Sequence, residues 1–229
     1  MRRSEINRRI LLAETFFESM SFRLPPWSSR GPAEWKGERA NESEIIENML
    51  GWDLTDFGSG DFDSVGLLLF TLRNGKAAQA EGTRGAKTYA EKIMIVGEGQ
   101  ETPLHFHWSK MEDIIVRGGG KLIIQLWAST PDEGLSSQGF SLRIDGVVRE
   151  VEAGGSIRLE PGESVCLEQG VYHRFYGEEG KGRVLVGEVS AVNDDSSDNR
   201  FFESAGRFPE IEEDEAPLRL LASDYKRYV

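Results

Sequence analysis

Two of the three histidines of this chain lie one residue apart in Leu104-His105-Phe106-His107, and Glu112 follows five positions later. Alternate side chains of a β-strand face the same side, so the imidazoles of His105 and His107 would point in one direction. Neutral imidazoles and a carboxylate are ligands that divalent transition metals take in proteins. The spacing therefore predicts a metal site that includes His105, His107 and Glu112.

The stretch around these residues resembles the first sequence motif of the cupin superfamily. Gly99, His105, His107, Glu112 and Gly119 match that motif at each of its positions. The resemblance implies an all-β fold, a single cupin (jelly-roll) β-barrel, with N-terminal helices and a C-terminal helix beside it. It also implies that the barrel holds a divalent metal.

A later stretch resembles the second cupin motif through Gly162, Gly170 and His173. It departs from the motif at Glu168, where the family usually has proline, and at Gly177, where it usually has asparagine. The family takes its last metal-ligating histidine from this motif, so the resemblance implies that His173 completes the set. Three histidines and one glutamate would leave two octahedral positions open, which suits Mn, Fe, Co, Ni or Zn.

The wider sequence is similar to one cupin subfamily, the D-lyxose isomerases. The similar stretches are Thr102 to Glu112, Val184 to Phe202 and Arg207 to Leu221. The resemblance implies a metal-dependent enzyme that converts D-lyxose to D-xylulose, with D-mannose to D-fructose as a related pair and manganese as the metal.

Isomerisation needs a base, and Glu112 would be committed to the metal. Glu188 is the candidate because it is a lone acid in an apolar stretch, where burial in a barrel would raise its pKa. The alternative is a surface glutamate on an edge strand. Lys92 and Lys110 are candidates to steady an enediolate oxygen, against the ordinary alternative of exposed lysines. Proton transfer and hydride shift between C2 and C1 both fit these residues.

Sugar recognition needs hydrogen bonds and a flat apolar face. Trp108, which follows His107, is the candidate for the face, and Asp198 and Arg200 are the candidates for the hydrogen bonds. Two other functions fit the same metal ligands: an iron-dependent dioxygenase, and a sugar-binding cupin without turnover.

Composition excludes several classes of partner. The 229 residues carry 27 basic and 39 acidic side chains, and the net charge of −12 argues against nucleic acids and anionic membranes. The single cysteine, Cys166, excludes an internal disulfide and lies among apolar residues, which predicts a buried thiol. No apolar run approaches the roughly 20 residues of a membrane span, and no signal sequence is visible, so we expect a cytoplasmic protein.

Periodicity predicts helices over 4–22, with Ser4 as its cap, over 41–50, with Asn41 as its cap, and over 218–228. The predicted strands are short and separated by turn signals: 65–72, 88–96, 103–108, 113–117, 121–128, 141–145, 147–152, 156–159, 164–168, 173–176 and 184–192. Residues 53–63, rich in acids and glycines, are predicted to form a solvated loop.

We expect one domain over residues 1–229. It would consist of an N-terminal helical and arm extension (1–64), the barrel core (65–192) and a C-terminal loop and helix (193–229). The arm at residues 27–40 carries Trp27 and Trp35, which we expect to pack on the barrel wall or on a second subunit. A homodimer through this arm is therefore predicted.

Overall fold

The structure is a computed structural model that describes residues 1–36, 43–76, 86–192, 194, 197–206 and 210–229. Within these ranges the helices are few and mostly short: α1 (Arg3–Ser19), a 3-10 turn (Pro26–Ser29), α2 (Pro32–Trp35), α3 (Ser43–Glu47), a second 3-10 turn (Ala222–Asp224) and α4 (Tyr225–Tyr228). None of the helices in the described ranges is long and apolar enough to cross a membrane.

Eight strands form one antiparallel sheet in the spatial order β1-β2-β3-β12-β5-β10-β7-β8. Their bounds are β1 (Gly51–Thr55), β2 (Leu67–Arg73), β3 (Tyr89–Val96), β5 (Glu112–Gly119), β7 (Phe140–Ile144), β8 (Val147–Val151), β10 (Ser164–Leu167) and β12 (Val184–Ala191). β12 lies inside this sheet, paired with β3 on one side and β5 on the other.

Five strands form the second antiparallel sheet in the order β13-β4-β11-β6-β9. Their bounds are β4 (His105–Phe106), β6 (Leu122–Ala128), β9 (Ser156–Leu159), β11 (Val171–Gly177) and β13 (Arg200–Phe201). Side chains from both sheets form one buried apolar core between them, including Leu69, Met94, Ile114, Leu122, Ile124 and Phe175. Two antiparallel sheets around a shared core confirm the predicted all-β class.

Helix α1 covers the outer face of the eight-stranded sheet. Ile6, Ile10 and Phe17 are at most 1% exposed because their spacing places them on one side of the helix. Phe17 stacks on Trp52 of β1 at 6.1 Å between ring centroids, within a second apolar cluster. The predicted cap at Ser4 is wrong: the helix begins at Arg3, and the Ser4 hydroxyl donates to Asp214 at 2.7 Å.

The strands β2 to β12 each overlap one predicted stretch, but β1 and β13 were not predicted. β1 directly follows the predicted helix 41–50, and its last three residues belong to the predicted solvated loop 53–63. The extent of the C-terminal helix is also wrong. Leu221 is extended and forms a bridge with Trp52 of β1. Helical structure is therefore limited to the 3-10 turn Ala222–Asp224 and to α4, Tyr225–Tyr228. Cys166 is half-buried rather than buried.

The arm folds onto its own chain. It contains the first 3-10 turn and α2 rather than an extended segment, and residues 37–40 lie outside the described residues, as does the predicted cap Asn41. Trp27 contacts Phe70 at 5.0 Å and Trp35 contacts Tyr225 at 5.3 Å between ring centroids. The predicted packing on the barrel wall is confirmed, whereas the homodimer stays a prediction.

Arg3 joins the two ends of the described chain. Its guanidinium is fully buried and donates to Asp224 at 2.8 and 2.9 Å and to Glu213 at 2.9 Å twice. Such a buried cation requires partners on all sides, because removal of water from an unpaired charge costs several kcal/mol. The hydrogen bond from Arg3 holds the pKa of Glu213 below its ordinary value, although burial opposes this.

We expect Arg3→Ala to lower the free energy of unfolding by about 3 kcal/mol, because it removes the cation that pairs with the buried carboxylate of Asp224 and leaves Glu213 with Arg227. Arg2→Ala is the matched control: Arg2 lies 3.5 Å from Glu212, with both side chains 67% exposed, so we expect a loss below about 1 kcal/mol. Guanidinium denaturation followed by circular dichroism measures both. Equal losses in the two variants would contradict this role of Arg3.

Candidate active site

The three histidines meet in a cavity between the two sheets. His105 on β4 pairs directly with His173 on β11, and His107 follows β4 on the same side as His105. One ring nitrogen from each histidine can be chosen so that all three atoms lie within 4.8 Å of one another. The alternation predicted from the sequence therefore brings His105 and His107 together, and the neighbouring strand adds His173.

Each imidazole is oriented by a backbone carbonyl. The Nδ1 atom of His105 lies 2.9 Å from the carbonyl oxygen of Pro103, that of His107 lies 2.7 Å from Asp198, and that of His173 lies 3.0 Å from Val171. A carbonyl oxygen only accepts, so each Nδ1 must carry the proton. Nε2 is then the ring nitrogen of each histidine that would bind a metal.

Glu112, the first residue of β5, faces the same point. Its Oε1 lies 3.1 Å from Nε2 of His173 and 3.5 Å from Nε2 of His107, and the side chain is 3% exposed. Burial would raise the pKa of Glu112, but the charges of Lys110 and His107 outweigh burial and hold this pKa well below its ordinary value. The carboxylate is therefore ionised, as a metal ligand must be.

The pKa of His105 is shifted. Burial, together with charge on His173 and His107, holds its pKa well below the ordinary value, while Glu112 acts in the opposite direction. A neutral imidazole is the form that binds a metal. The donor set, with fixed tautomers and an ionised carboxylate, fits a divalent transition metal.

A cluster of buried, charged side chains lies next to the three histidines and includes Glu112. The Nζ atom of Lys110 is 2.8 Å from Oε2 of Glu112 and 2.9 Å from Oε1 of Glu188, and Nζ of Lys92 is 3.4 Å from the same Oε1. Glu188 on β12 pairs directly with Lys92 on β3, which explains why the two side chains share a face. All four side chains are at most 7% exposed, so the alternative of exposed lysines is wrong. The alternative of an edge strand is wrong as well, because β12, which carries Glu188, pairs with β3 on one side and β5 on the other.

The predicted rise in the pKa of Glu188 is wrong. Burial does raise it, but the ammonium groups of Lys110 and Lys92 outweigh burial, and the pKa of Glu188 lies below its ordinary value. The carboxylate is therefore ionised and able to accept a proton.

The cavity that contains these groups has a volume of about 50 Å³. One part of its lining is charged and polar. The remainder is apolar and aromatic: Phe57, Leu67, Leu69, Met94, Ile114, Phe175 and Phe201. Thr102 and Asn199 also line it. Such a division suits a ligand with both hydroxyl groups and carbon faces.

Trp108 lies away from the cavity. It contacts Phe106, two residues earlier on the outer side of the strand, and its Nε1 donates to Glu133 at 2.9 Å. The alternation that points His107 inward points Trp108 outward. The aromatic faces at the cavity belong instead to Phe201 and Phe57, whose rings are 6.0 Å apart.

Asp198 and Arg200 also lie outside the cavity lining. Both carboxylate oxygens of Asp198 accept backbone N–H groups, from Ser109 at 2.8 Å and Lys110 at 2.9 Å. Arg200 on β13 pairs with the outward-facing Phe106, and its Nε donates to Glu133 at 3.0 Å. The same register pairs Phe201 with His105 and turns Phe201 inward.

Glu133, Phe57 and Phe201 were missed by sequence reasoning. Glu133 holds Trp108 and Arg200 with its carboxylate, and its backbone oxygen accepts the Tyr172 hydroxyl at 2.7 Å. Nothing in its local sequence signals this role. For Phe201 a signal existed, since an aromatic beside Arg200 alternates in direction with it once that segment is treated as a strand.

Comparison with known proteins gives consistent results. A family model described as D-lyxose isomerase matches residues 1–225. A protein named D-lyxose/D-mannose isomerase from Serratia proteamaculans is 47% identical over 230 residues, which covers 100% of both chains. A protein of the same name from Escherichia coli O157:H7 is 46% identical over 229 residues, again with 100% of both chains covered.

Among solved structures, the chain resembles Cellulomonas parahominis L-ribose isomerase with L-ribose, at a TM-score of 0.62 and 18% identity, over 93% of this chain and 98% of that one. Acinetobacter sp. DL28 L-ribose isomerase in complex with L-ribose gives 0.62 and 15% over the same shares. At these identities the likeness concerns the fold alone, and it confirms the predicted cupin β-barrel. On the family match and the two close relatives, this chain belongs to the D-lyxose isomerase family and is an aldose–ketose isomerase.

Proposed function

We propose that the chain is a divalent-metal-dependent isomerase that interconverts D-lyxose and D-xylulose, and D-mannose and D-fructose, by proton transfer between C2 and C1. The observation that carries the mechanism is the contact between two buried sets of side chains: the three histidines with Glu112, and the pair Lys110 and Glu188. The imidazoles with fixed tautomers face Glu112, and Nζ of Lys110 lies 2.8 Å from Glu112 and 2.9 Å from Glu188. The choice of sugars follows the names of the two close relatives.

The residues that would hold the metal are His105, His107, His173 and Glu112, with Mn²⁺ the expected ion and Fe, Co, Ni or Zn as alternatives. Four protein ligands leave room for two oxygens of an aldose. When bound, the metal would act as a Lewis acid that polarises the oxygens on C1 and C2 and acidifies the proton on C2.

Glu188 would take that proton. Its carboxylate is ionised, is shielded from water and lies beside the ligand set, so it meets the geometric and charge requirements of a general base. The same carboxylate would return a proton to C1 of the enediol, and between the two transfers the proton that it holds would exchange with water. The hydroxyl proton that leaves O2 would end on O1, so that the sugar gains and loses no atoms.

Lys110 and Lys92 would balance the charge that develops on the sugar oxygens. Both ammonium groups are buried, and a buried cation interacts with a developing oxyanion more strongly than an exposed one. A buried carboxylate next to the ligands favours proton transfer over a hydride shift, because only proton transfer needs a base for the proton on C2.

Phe201 and Phe57 would supply the apolar face that sugar recognition requires. Phe201 is half-buried at the cavity, with its ring 5.5 Å from that of His105 and tilted by 35°. A sugar held near His105 could lay its C–H groups on this ring.

Removal of a ligand tests the metal site. We expect His173→Ala to lower Mn²⁺ affinity by at least about 100-fold, since loss of a direct ligand exceeds the 10- to 100-fold cost of an outer partner. Metal analysis after dialysis of the loaded protein measures this. Tyr172→Phe is the control: it changes the neighbouring side chain, which points outward to Glu133. If His173→Ala retains the metal of the wild type, the proposed ligand set is wrong.

Glu188→Gln tests the base. We expect kcat to fall by about 10²- to 10⁴-fold, the usual contribution of a general base, with the metal content unchanged. Glu150→Gln, at an exposed carboxylate on β8, is the control and should leave kcat unchanged. Release of deuterium from C2-labelled D-lyxose into water should occur with the wild type and disappear with Glu188→Gln. Label that stays on C1 with the wild type would favour a hydride shift instead.

A pair of aromatic variants tests the sugar face. We expect Phe201→Ala to raise KM for D-lyxose by roughly 3- to 10-fold, equivalent to about 0.5–1.5 kcal/mol of aromatic contact. Trp108→Ala should change KM by less than about 2-fold, because Trp108 faces away from the cavity. Initial rates over a range of sugar concentrations decide between them. A larger effect of Trp108→Ala would contradict the role of Phe201 and support Trp108, the residue that the sequence analysis assigned to the sugar face.

A further inference from the structure

Asp198 is joined to the metal-binding segment by three hydrogen bonds. Its Oδ1 accepts the N–H of Ser109 at 2.8 Å, its Oδ2 accepts the N–H of Lys110 at 2.9 Å, and its backbone oxygen lies 2.7 Å from Nδ1 of His107. The side chain is buried, and it does not line the cavity. Asp198 therefore contacts a metal ligand and the anchor of a catalytic lysine, without lying beside the sugar.

The segment from His107 to Met111 needs such support. It lies between β4 and β5 and belongs to neither strand, so no sheet ladder takes up its N–H groups. Buried N–H groups without partners cost free energy. Other anchors of the segment hold its carbonyls: Gly170 N–H donates to His107 O, Gln169 Nε2 donates to Ser109 O and Ala191 N–H donates to Met111 O, each at 3.0 Å.

Lys110 is consequently held at both ends. Its N–H is fixed by Asp198, and its Nζ lies between Glu112 and Glu188. A shift of the backbone by a fraction of an ångström would move Nζ relative to both carboxylates. The same shift would turn His107, because its ring is tied to the backbone oxygen of Asp198.

We propose that Asp198 is a positioning residue for the reaction, which sets the orientation of His107 and the place of Lys110 together. This inference rests on the proposed function, since it assigns Asp198 to the metal and the lysine of that site rather than to the sugar. A carboxylate is required because two adjacent N–H groups converge on it, and each needs an accepting oxygen. An asparagine offers one such oxygen, and its amide NH₂ would face the other N–H group.

The test compares Asp198→Asn and Asp198→Ala with the wild type. Asp132→Asn is the matched control, since Asp132 is exposed and accepts the hydroxyl of its near neighbour Thr130. Calorimetric titration of the metal-free proteins with Mn²⁺ should show Kd raised by about 10-fold or more in both Asp198 variants, the size of effect that partners of metal ligands have. At saturating Mn²⁺, kcat for D-lyxose should fall by about 10-fold while KM stays within about 2-fold.

A purely structural role would lower the melting temperature and leave the Mn²⁺ Kd of the folded variants unchanged, which would overturn the inference. A rise in KM with unchanged Mn²⁺ affinity would overturn it as well and would place Asp198 on the sugar. Hydrogen exchange of the wild type provides a second measurement should the variants fail to fold. The N–H groups of Ser109 and Lys110 should exchange slowly, and fast exchange at both would overturn the inference.

Failure of the proposed function is distinguishable from failure of this inference. A wild type that binds no Mn²⁺ and produces no ketose would remove the proposed function. A wild type that does both, with Asp198→Asn equal to it in Mn²⁺ Kd and kcat, would remove only the role of Asp198.

Discussion

The site depends on an alternating row of buried charges. The side chains of Glu112, Lys110, Glu188 and Lys92 are at most 7% exposed, and successive groups are 2.8, 2.9 and 3.4 Å apart. Each of these charges alone would cost several kcal/mol to remove from water. Together the two carboxylates and two ammonium groups cancel, so the barrel can hold them in a dry interior. Loss of any one of them leaves an opposite charge uncompensated.

This row imposes a register on the strands. Glu188 and Lys92 are directly opposite each other on β12 and β3, and a shift of β12 by one residue would turn Glu188 to the outer face. β12 pairs over most of its length with both neighbours, which makes such a shift costly. The outer face of the same sheet is covered by α1 through Ile6, Ile10 and Phe17, so the strands that carry the charged groups are packed on both sides.

The remaining parts of the site are held by side chains rather than by sheet ladders. Lys110 and His107 belong to an irregular segment that Asp198 fixes, and Phe201 belongs to a strand of two residues. Outside the cavity, Glu133 joins this short strand to Trp108 through Arg200. The groups around the cavity are thus divided between a rigid sheet, which holds Glu188, and supported loops, which hold His107, Lys110 and Phe201.

The sequence by itself determined the local properties of this protein. Turn signals and short apolar runs predicted the strands β2 to β12, and spacing predicted that His105 and His107 share a face, because both are properties of neighbouring residues. The direction in which single side chains point was harder to predict. Trp108 and Arg200, which the sequence analysis assigned to the sugar, face outward once β4 and β13 pair. Only the tertiary structure decided the pKa of Glu188, because its shift depends on Lys92 and Lys110, which are distant in sequence and reach it through strand pairing. Only the tertiary structure brought Asp198 to Ser109 and Lys110 and Phe201 to His105, because these contacts join segments about ninety residues apart in the chain.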